Sequence, residues 1–388
     1  MKTIQEQLPN DLVEEILCRV PATSLRRLRS TCKAWNRLFK GDRILASKHF
    51  EKSAKQFRSL SLRNDYRIFP ISFNLHGNSP SLELKSELID PHSKNSAAPF
   101  EISRVIHCEG LLLCSSQLDE SRVVVWNPLT GETRWIRTGD FRQKGRSFDV
   151  GYYYQKDKRS WIKSYKLLCY YRGTKYFEIY DFDSDSWRIL DDIIAPRGSI
   201  GYSELSVSLK GNTYWFAKGV TEERPRTISL LKFDFYTEKS VPVLLPYQSR
   251  RLFQASSLSV VREDKLSVLL QLDQSSKTEI WVTNVIDETT KGAVSWTKVL
   301  ALDLSPHLQI GNDGSFFLGE DKKVVMFCEK LIDENKVKDM VYIVGEDNVV
   351  TEVGFGVDEM DGCRAVILNY VPSLVQIERA GGNRKRGH

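Results

Sequence analysis

Apolar positions change period once along the chain, near residue 57. Before that point they recur at helical spacing; after it they form short β-branched and aromatic runs between turn residues. Apolar residues fall at Leu8, Leu12, Val13, Ile16, Leu17 and Val20. Leu12, Ile16 and Val20 lie four apart and stack on one helix face, with Val13 and Leu17 beside them. Pro9 suits a first helical turn, where its missing N–H needs no partner. Asp11, Glu14 and Glu15 put negative charge near the positive end of the helix dipole. Pro21 disfavours helix at Val20 and predicts the stop. Thr23-Ser24 signals a second start, and Leu25, Leu28, Cys32, Trp35 and Phe39 follow at spacings of 3, 4, 3 and 4. That seam fits one helix, or two with Ser30-Thr31 capping the second. The break is the favoured reading, with Gly41 as the C-terminal stop.

Beyond residue 57 one pattern recurs. A strand carrying an aromatic or apolar residue leads into Asp or Asn, then a short turn, then a second strand. It reads VVVWNPLTGETRWI (123–136), FEIYDFDSDSWRIL (177–190), SLLKFDFYTEKSVPVLL (229–245), EIWVTNVIDETTKGAVSWTKVL (279–300) and, more weakly, MVYIVGEDNVVTEVGF (340–355). Aligned on Trp126, Tyr180, Phe233, Trp281 and Tyr342, the repeats are spaced by 54, 53, 48 and 61 residues. A four-stranded twisted sheet cannot cover both its faces alone. Stacked radially, each sheet covers the next, so a period near this length predicts propeller blades. The inner half of each blade comes from the strands GLLLCSS, YKLLCYY, SVSLKGNTYWFA, LSVVREDKLSVLLQ and SFFLGEDKKVVMFCE. A partial unit lies around residues 59–73, and the terminal run Ala365–Ile377 can pair with it. Five repeats plus that closure give six blades. The fold expected is a small all-α N-terminal unit followed by an all-β propeller.

Charge divides along the same line. Residues 1–58 hold 13 Lys/Arg against 6 Asp/Glu, and the remaining 330 residues hold 43 against 44. The large domain therefore gives no support to nucleic-acid binding, whereas a basic patch on the helices could meet an acidic protein or a phosphate backbone. No apolar run approaches a membrane span. The start MKTIQEQLPND is polar with no signal-peptide core, so export is not expected. Seven scattered cysteines, at 18, 32, 108, 114, 169, 328 and 363, suit a reducing compartment, cytoplasm or nucleus, better than a disulfide framework. His107, Cys108 and Cys114 lie close in sequence, but without a Cys-x-x-Cys pair or a fourth ligand they predict no metal site. No nucleophile elbow is present. Gly354-Phe355-Gly356 lacks the third glycine and following helix of a phosphate loop. Asn383–Arg386, in a basic tail at 378–388, fits a weak nuclear signal, with a disordered solvated end as the favoured reading.

Leu8-Pro9, Leu12, Glu15-Ile16-Leu17, Arg19, Pro21, Leu25, Arg29, Cys32-Lys33, Trp35 and Leu38 sit where an F-box has them, so residues 8–50 resemble that motif. HCEGLLLC, VVWNPLTGETRWI, EIYDFDSDSW, SLKGNTYWFA, FDFYTE and IWVT resemble the F-box-associated domain, type 1, of the plant F-box/kelch-repeat family. The two resemblances cover about residues 8–377, divided as 1–50 for the F-box and 51–377 for the kelch-like propeller. True kelch repeats end a strand in each blade with a Gly-Gly doublet, which this chain lacks. The resemblance implies a substrate receptor of an SCF-type cullin–RING ubiquitin ligase. The helices would bind a Skp-type adaptor, and through it cullin and RING subunits, while the propeller holds a target protein for degradation. Transfer chemistry then belongs to another subunit, so neither an active site nor a cofactor is expected.

Three short helices cannot bury every apolar side chain they carry, which leaves surface for a partner. Leu8, Pro9, Leu12, Ile16, Leu17, Val20, Pro21 and Leu25 are expected to form or support the adaptor face. Leu28, Cys32 and Trp35 are expected to hold the helices together. No residues of the propeller can be singled out for the substrate, beyond the expectation that loops on one face carry recognition. Two rival readings stay open at this stage. One is a helix-turn-helix-like DNA-binding protein using Arg26, Arg27, Arg29, Lys33, Arg37 and Lys40. The other is a propeller enzyme with its site at the central channel.

Overall fold

The chain was analysed as a computed structural model. It describes residues 8–31, 33, 35–36, 43–63, 65–74, 81–88, 100–139, 145–157, 160–171, 176–190, 199–221, 224–247, 253–272, 277–286, 294–304, 314–319, 324–333, 336–354 and 365–377. Cys32, Phe39, Gly41, Phe355, Gly356 and the tail 378–388 lie outside these residues.

Helix α1 spans Asn10–Leu17 and α2 spans Ala22–Thr31. Pro9 caps α1 from outside rather than opening its first turn, with extended backbone (φ −51°, ψ 143°). The helix ends three residues before the expected stop. Arg19 and Val20 donate to the carbonyls of Ile16 and Leu17, tightening the last turn. Pro21, not Thr23 or Ser24, stands at the start of α2, where its carbonyl accepts from the Leu25 N–H at 2.9 Å. Thr23 instead donates its hydroxyl to Gln56 Oε1 at 2.6 Å. A further helix, α3, spans Arg43–Lys52 and runs through the boundary expected at residue 50. The sequence does not announce it, because its apolar residues do not fall on one face. Leu45 enters the helical core, whereas Ala46 and Ser47 line the seam with the propeller.

Six four-stranded antiparallel sheets follow. Blade 1 holds β1 (Arg58–Leu62), β2 (Ile68–Asn74) and β3 (Ser81–Leu84); blade 2 holds β4 (Arg104–Cys108), β5 (Leu111–Ser115), β6 (Arg122–Asn127) and β7 (Glu132–Arg137). Blade 3 holds β8 (Arg146–Asp157), β9 (Ser160–Tyr171), β10 (Phe177–Asp181) and β11 (Ser186–Ile189). Blade 4 holds β12 (Ser199–Leu209), β13 (Asn212–Thr221), β14 (Arg224–Asp234) and β15 (Lys239–Val243). Blade 5 holds β16 (Phe253–Val261), β17 (Lys265–Leu272), β18 (Lys277–Thr283) and β19 (Trp296–Asp303). Blade 6 holds β20 (Ser315–Gly319), β21 (Val324–Asp333), β22 (Lys336–Val344) and β23 (Val350–Gly354). The last strand, β24 (Val366–Tyr370), pairs antiparallel with β1, Leu60 opposite Leu368, and closes the ring as the innermost strand of blade 1. The repeating hairpins of the sequence are the two outer strands of blades 2 to 6.

Burial explains why the strands read as continuous apolar runs. Along β5, Leu111 and Leu113 pack toward blade 3, while Leu112 and Cys114 pack toward blade 1. Along β9, Leu167 and Cys169 face blade 2, and Leu168 and Tyr170 face blade 4. Among the described residues, six apolar clusters fill the six junctions between blades. Trp215 stacks on Tyr170 across one of them, with ring centroids 5.9 Å apart.

The terminal run is a strand only to Tyr370. Residues 371–377 leave the sheet and pass, largely buried, beneath the helices. Backbone groups that lose a strand partner need another one. Asn127 Nδ2 donates to the carbonyls of Ser373 (3.1 Å) and Val375 (2.7 Å), and Ser373 Oγ donates to the Glu109 carbonyl (2.6 Å). Gly110, at φ +83°, lies against Ser373 so closely that a β-carbon there would overlap it.

Candidate functional site: the apolar face of the first helix

The helices bury a small core and leave a row of apolar side chains outside it. Leu8, Leu12 and Ile16 are 57%, 49% and 53% exposed, and Pro9 is exposed beside them. Leu12 and Ile16 lie four apart on one face of α1, and Leu8 stands exposed just outside its N-terminal cap. Leu17 and Leu25 are expected to form or support this face; the structure buries them, Leu25 completely. They meet Cys18, Ala22, Leu45 and the half-buried Val13, Val20, Leu28 and Trp35. Their contribution to any docking face is therefore support from beneath. Val20 and Pro21 are half-buried at its edge. Leu28 and Trp35 pack, half-buried, against this core; Cys32 lies outside the described residues.

Polar contacts set the angle of α1. Glu15 accepts from Arg19 (2.7 Å) on its own helix and from Lys52 (2.6 Å) on α3. Hydrogen bonds from Lys52 and then Arg19 hold its carboxyl below the ordinary range. His49 of α3 is fully buried with Nε2 2.7 Å from the Val20 carbonyl, so Nε2 carries a proton and donates. Burial lowers the proton affinity of this imidazole, against a smaller opposing effect of that hydrogen bond.

The core of the helices is not closed by the helices alone. Leu129, from the turn between β6 and β7, and Leu374, from the terminal segment, complete it. Both were outside the expected set. Leu129 carried one signal, a buried leucine within the turn sequence NPLTG; Leu374 carried none. On the other side of α3, Tyr154 donates to Glu51 at 3.1 Å, and the buried pair Lys163–Glu109 lies at 2.8 Å. The helices and propeller thus share one apolar interior.

Residues weighed for other chemistry have structural partners. His107 accepts from the Gly110 N–H at 2.8 Å and lies 3.3 Å from Glu263. Burial pushes the Cys108 and Cys169 thiols far up, which opposes the thiolate that metal binding or nucleophilic attack would need. Of the basic residues on the helices, Arg26, Arg27 and Lys33 are exposed; the side chains of Arg29, Arg37 and Lys40 lie outside the described residues.

A helical unit with surplus exposed apolar side chains is thus fused to a closed six-bladed propeller. Residues 6–47 match the F-box domain family, and residues 59–377 match the F-box associated beta propeller domain family. The chain belongs to the plant F-box proteins with an F-box-associated propeller domain. It is 53% identical to the F-box/kelch-repeat protein At3g44120 of Arabidopsis thaliana, over 98% of this chain and 99% of that protein. It is 50% identical to the F-box protein ETP1 of the same plant, over 98% of each. Among solved structures it is similar to YjhT, with a TM-score of 0.37 and 9% identity over 64% of this chain and 82% of that one, too distant to carry an argument.

Proposed function

We propose that this protein is the substrate-receptor subunit of an SCF-type cullin–RING ubiquitin ligase. Its helices bind a Skp-type adaptor, and its propeller recruits a protein for ubiquitination and degradation. The observation that carries this reading is the exposure of Leu8, Leu12 and Ile16 within a matched F-box domain. Each such side chain, buried on docking, contributes roughly 1.5–3 kcal/mol. The chain itself performs no transfer chemistry, and it works in the cytoplasm or nucleus, where its buried thiols stay reduced. Exchange of Leu8, Leu12 and Ile16 for Ser tests the reading by adaptor capture. Capture is expected to be lost with the melting temperature unchanged, since these side chains support no core. Retained capture sinks the assignment.

A further inference from the structure

A cleft of about 950 Å³ opens on the propeller face that carries the helices. Its walls are the end of α3 and the turns of blades 3, 4 and 5. Most of the charges in it are matched. Lys163 pairs with Glu109 at 2.8 Å and Lys232 with Asp234 at 3.7 Å, while Glu263 lies 3.3 Å from His107 Nδ1 and is also stabilised by the nearby charges of Lys55 and Lys210. Lys55 is one exception. Its Nζ is buried without a hydrogen-bond partner and lies over the Phe50 ring, 3.3 Å from the centroid. Burial brings its pKa down to about 8, against the partial support of Glu109 and Glu263. Lys210, exposed in the turn between β12 and β13, has no ion-pair partner among the described residues. On the blade-5 side, Asp264 Oδ1 is likewise buried without a hydrogen-bond partner. Trp161 and Tyr236, 62% and 72% exposed, complete the lining.

A buried ammonium without a partner is costly, and an arriving anion removes that cost. A free inorganic anion would satisfy Lys55 but repel Asp264. A peptide satisfies both, because it offers acidic side chains and backbone N–H donors together, and its apolar parts suit exposed aromatic rings. We propose that this cleft receives an acidic segment of the recruited protein. Its carboxylate or phosphate meets Lys55 and Lys210, a backbone N–H donates to Asp264, and its side chains rest on Trp161 and Tyr236. The assignment rests on the receptor reading above and places the target on the same propeller face as α3, beside the docking module.

The test measures binding of a labelled, short Asp/Glu-rich peptide to the full chain, with its Asn/Gln counterpart and inorganic phosphate as comparison probes. The acidic peptide should bind at least about tenfold more tightly than its neutral counterpart, the scale of one charge-assisted hydrogen bond. Lys210→Met, at an exposed turn where folding is not at stake, should weaken it by about the same factor, as should Lys55→Met. Lys277→Met, at the opposite end of blade 5, should leave it unchanged. Equal binding of both peptides, or an unaltered affinity in Lys210→Met, overturns the proposal. Phosphate that competes as tightly as the peptide binds overturns the peptide occupant. Adaptor capture is followed on the same preparation. Capture without peptide binding defeats the cleft alone, whereas peptide binding without capture defeats the ligase reading and leaves the cleft standing.

Discussion

The helices and the propeller solve the same problem in opposite ways. Each blade presents two apolar faces, and its neighbours cover both, so the ring is closed on itself at every junction. The helical unit has no such repetition. It borrows Leu129 and Leu374 from the propeller to finish one side and leaves Leu8, Leu12 and Ile16 uncovered on another. Self-sufficiency in one region and deficit in the other is a division of labour. A rigid ring can display surface without losing its shape, and an incomplete core has a physical reason to find a partner.

That contrast can be broken most severely at the buried Lys163–Glu109 pair, which joins blades 3 and 2 beside Glu51 of α3. Lys163→Met leaves the Glu109 carboxylate buried without its cation and should cost about 3–5 kcal/mol. Glu109→Gln in the same chain should restore much of the loss, measured by denaturant unfolding; no restoration would mean the pair is not the origin of the loss. Leu374→Ala separates the two regions more selectively. It should cost about 2–5 kcal/mol in the cavity it leaves. Hydrogen exchange should quicken in α1 to α3 while the blades stay protected. An equal loss of protection in the blades would show that the helices and ring unfold as one unit.

Acid sharpens the comparison further. The folded-state pKa of His49 lies below its ordinary value of 6.5, so the unfolded chain takes up the proton first as pH falls. The stability this residue contributes is fully present above that value and is lost as pH falls below it toward the folded-state pKa. His49→Gln keeps a donor for the Val20 carbonyl and cannot charge. The variant should show a flatter dependence of stability on pH in that window, followed by thermal melting across a pH series. The smallest effect is expected at Glu15. Its carboxylate is exposed and its ion pairs are screened by solvent. Glu15→Gln should leave the melting temperature unchanged within error, and a clear loss would assign these pairs a larger role in holding α1 to α3.

Much of the fold was legible in periodicity. The outer hairpins of five blades appear as repeats of an aromatic or apolar residue, a turn and a second strand, and the closure of residues 59–62 with the terminal run follows from a partial unit left at the start and a single strand left at the end. Less was legible where neighbours decide. β8 escaped notice because its FDVGYYYQ segment lies outside the repeated hairpin. α3 gave no amphipathic signal because opposite sides of it meet different regions. At the candidate site, spacing placed Leu12, Ile16 and Val20 on one helix face with Leu17 beside them, and Leu25 in the seam of the next helix. It could not say which of these apolar residues another element already covers, since all have the same chemistry.

By itself, then, the sequence determined the helical start, the six-fold repetition, the uneven charge and the family. These are local or periodic properties, set by residue type and interval. Only the tertiary structure decided that the terminal segment leaves its sheet after Tyr370 to seal the helices, that Leu17 and Leu25 face inward, and that the Lys55 ammonium is buried in a cleft without a hydrogen-bond partner. Burial and pairing depend on what lies across a gap of a few ångströms, and the groups meeting there come from residues hundreds of positions apart.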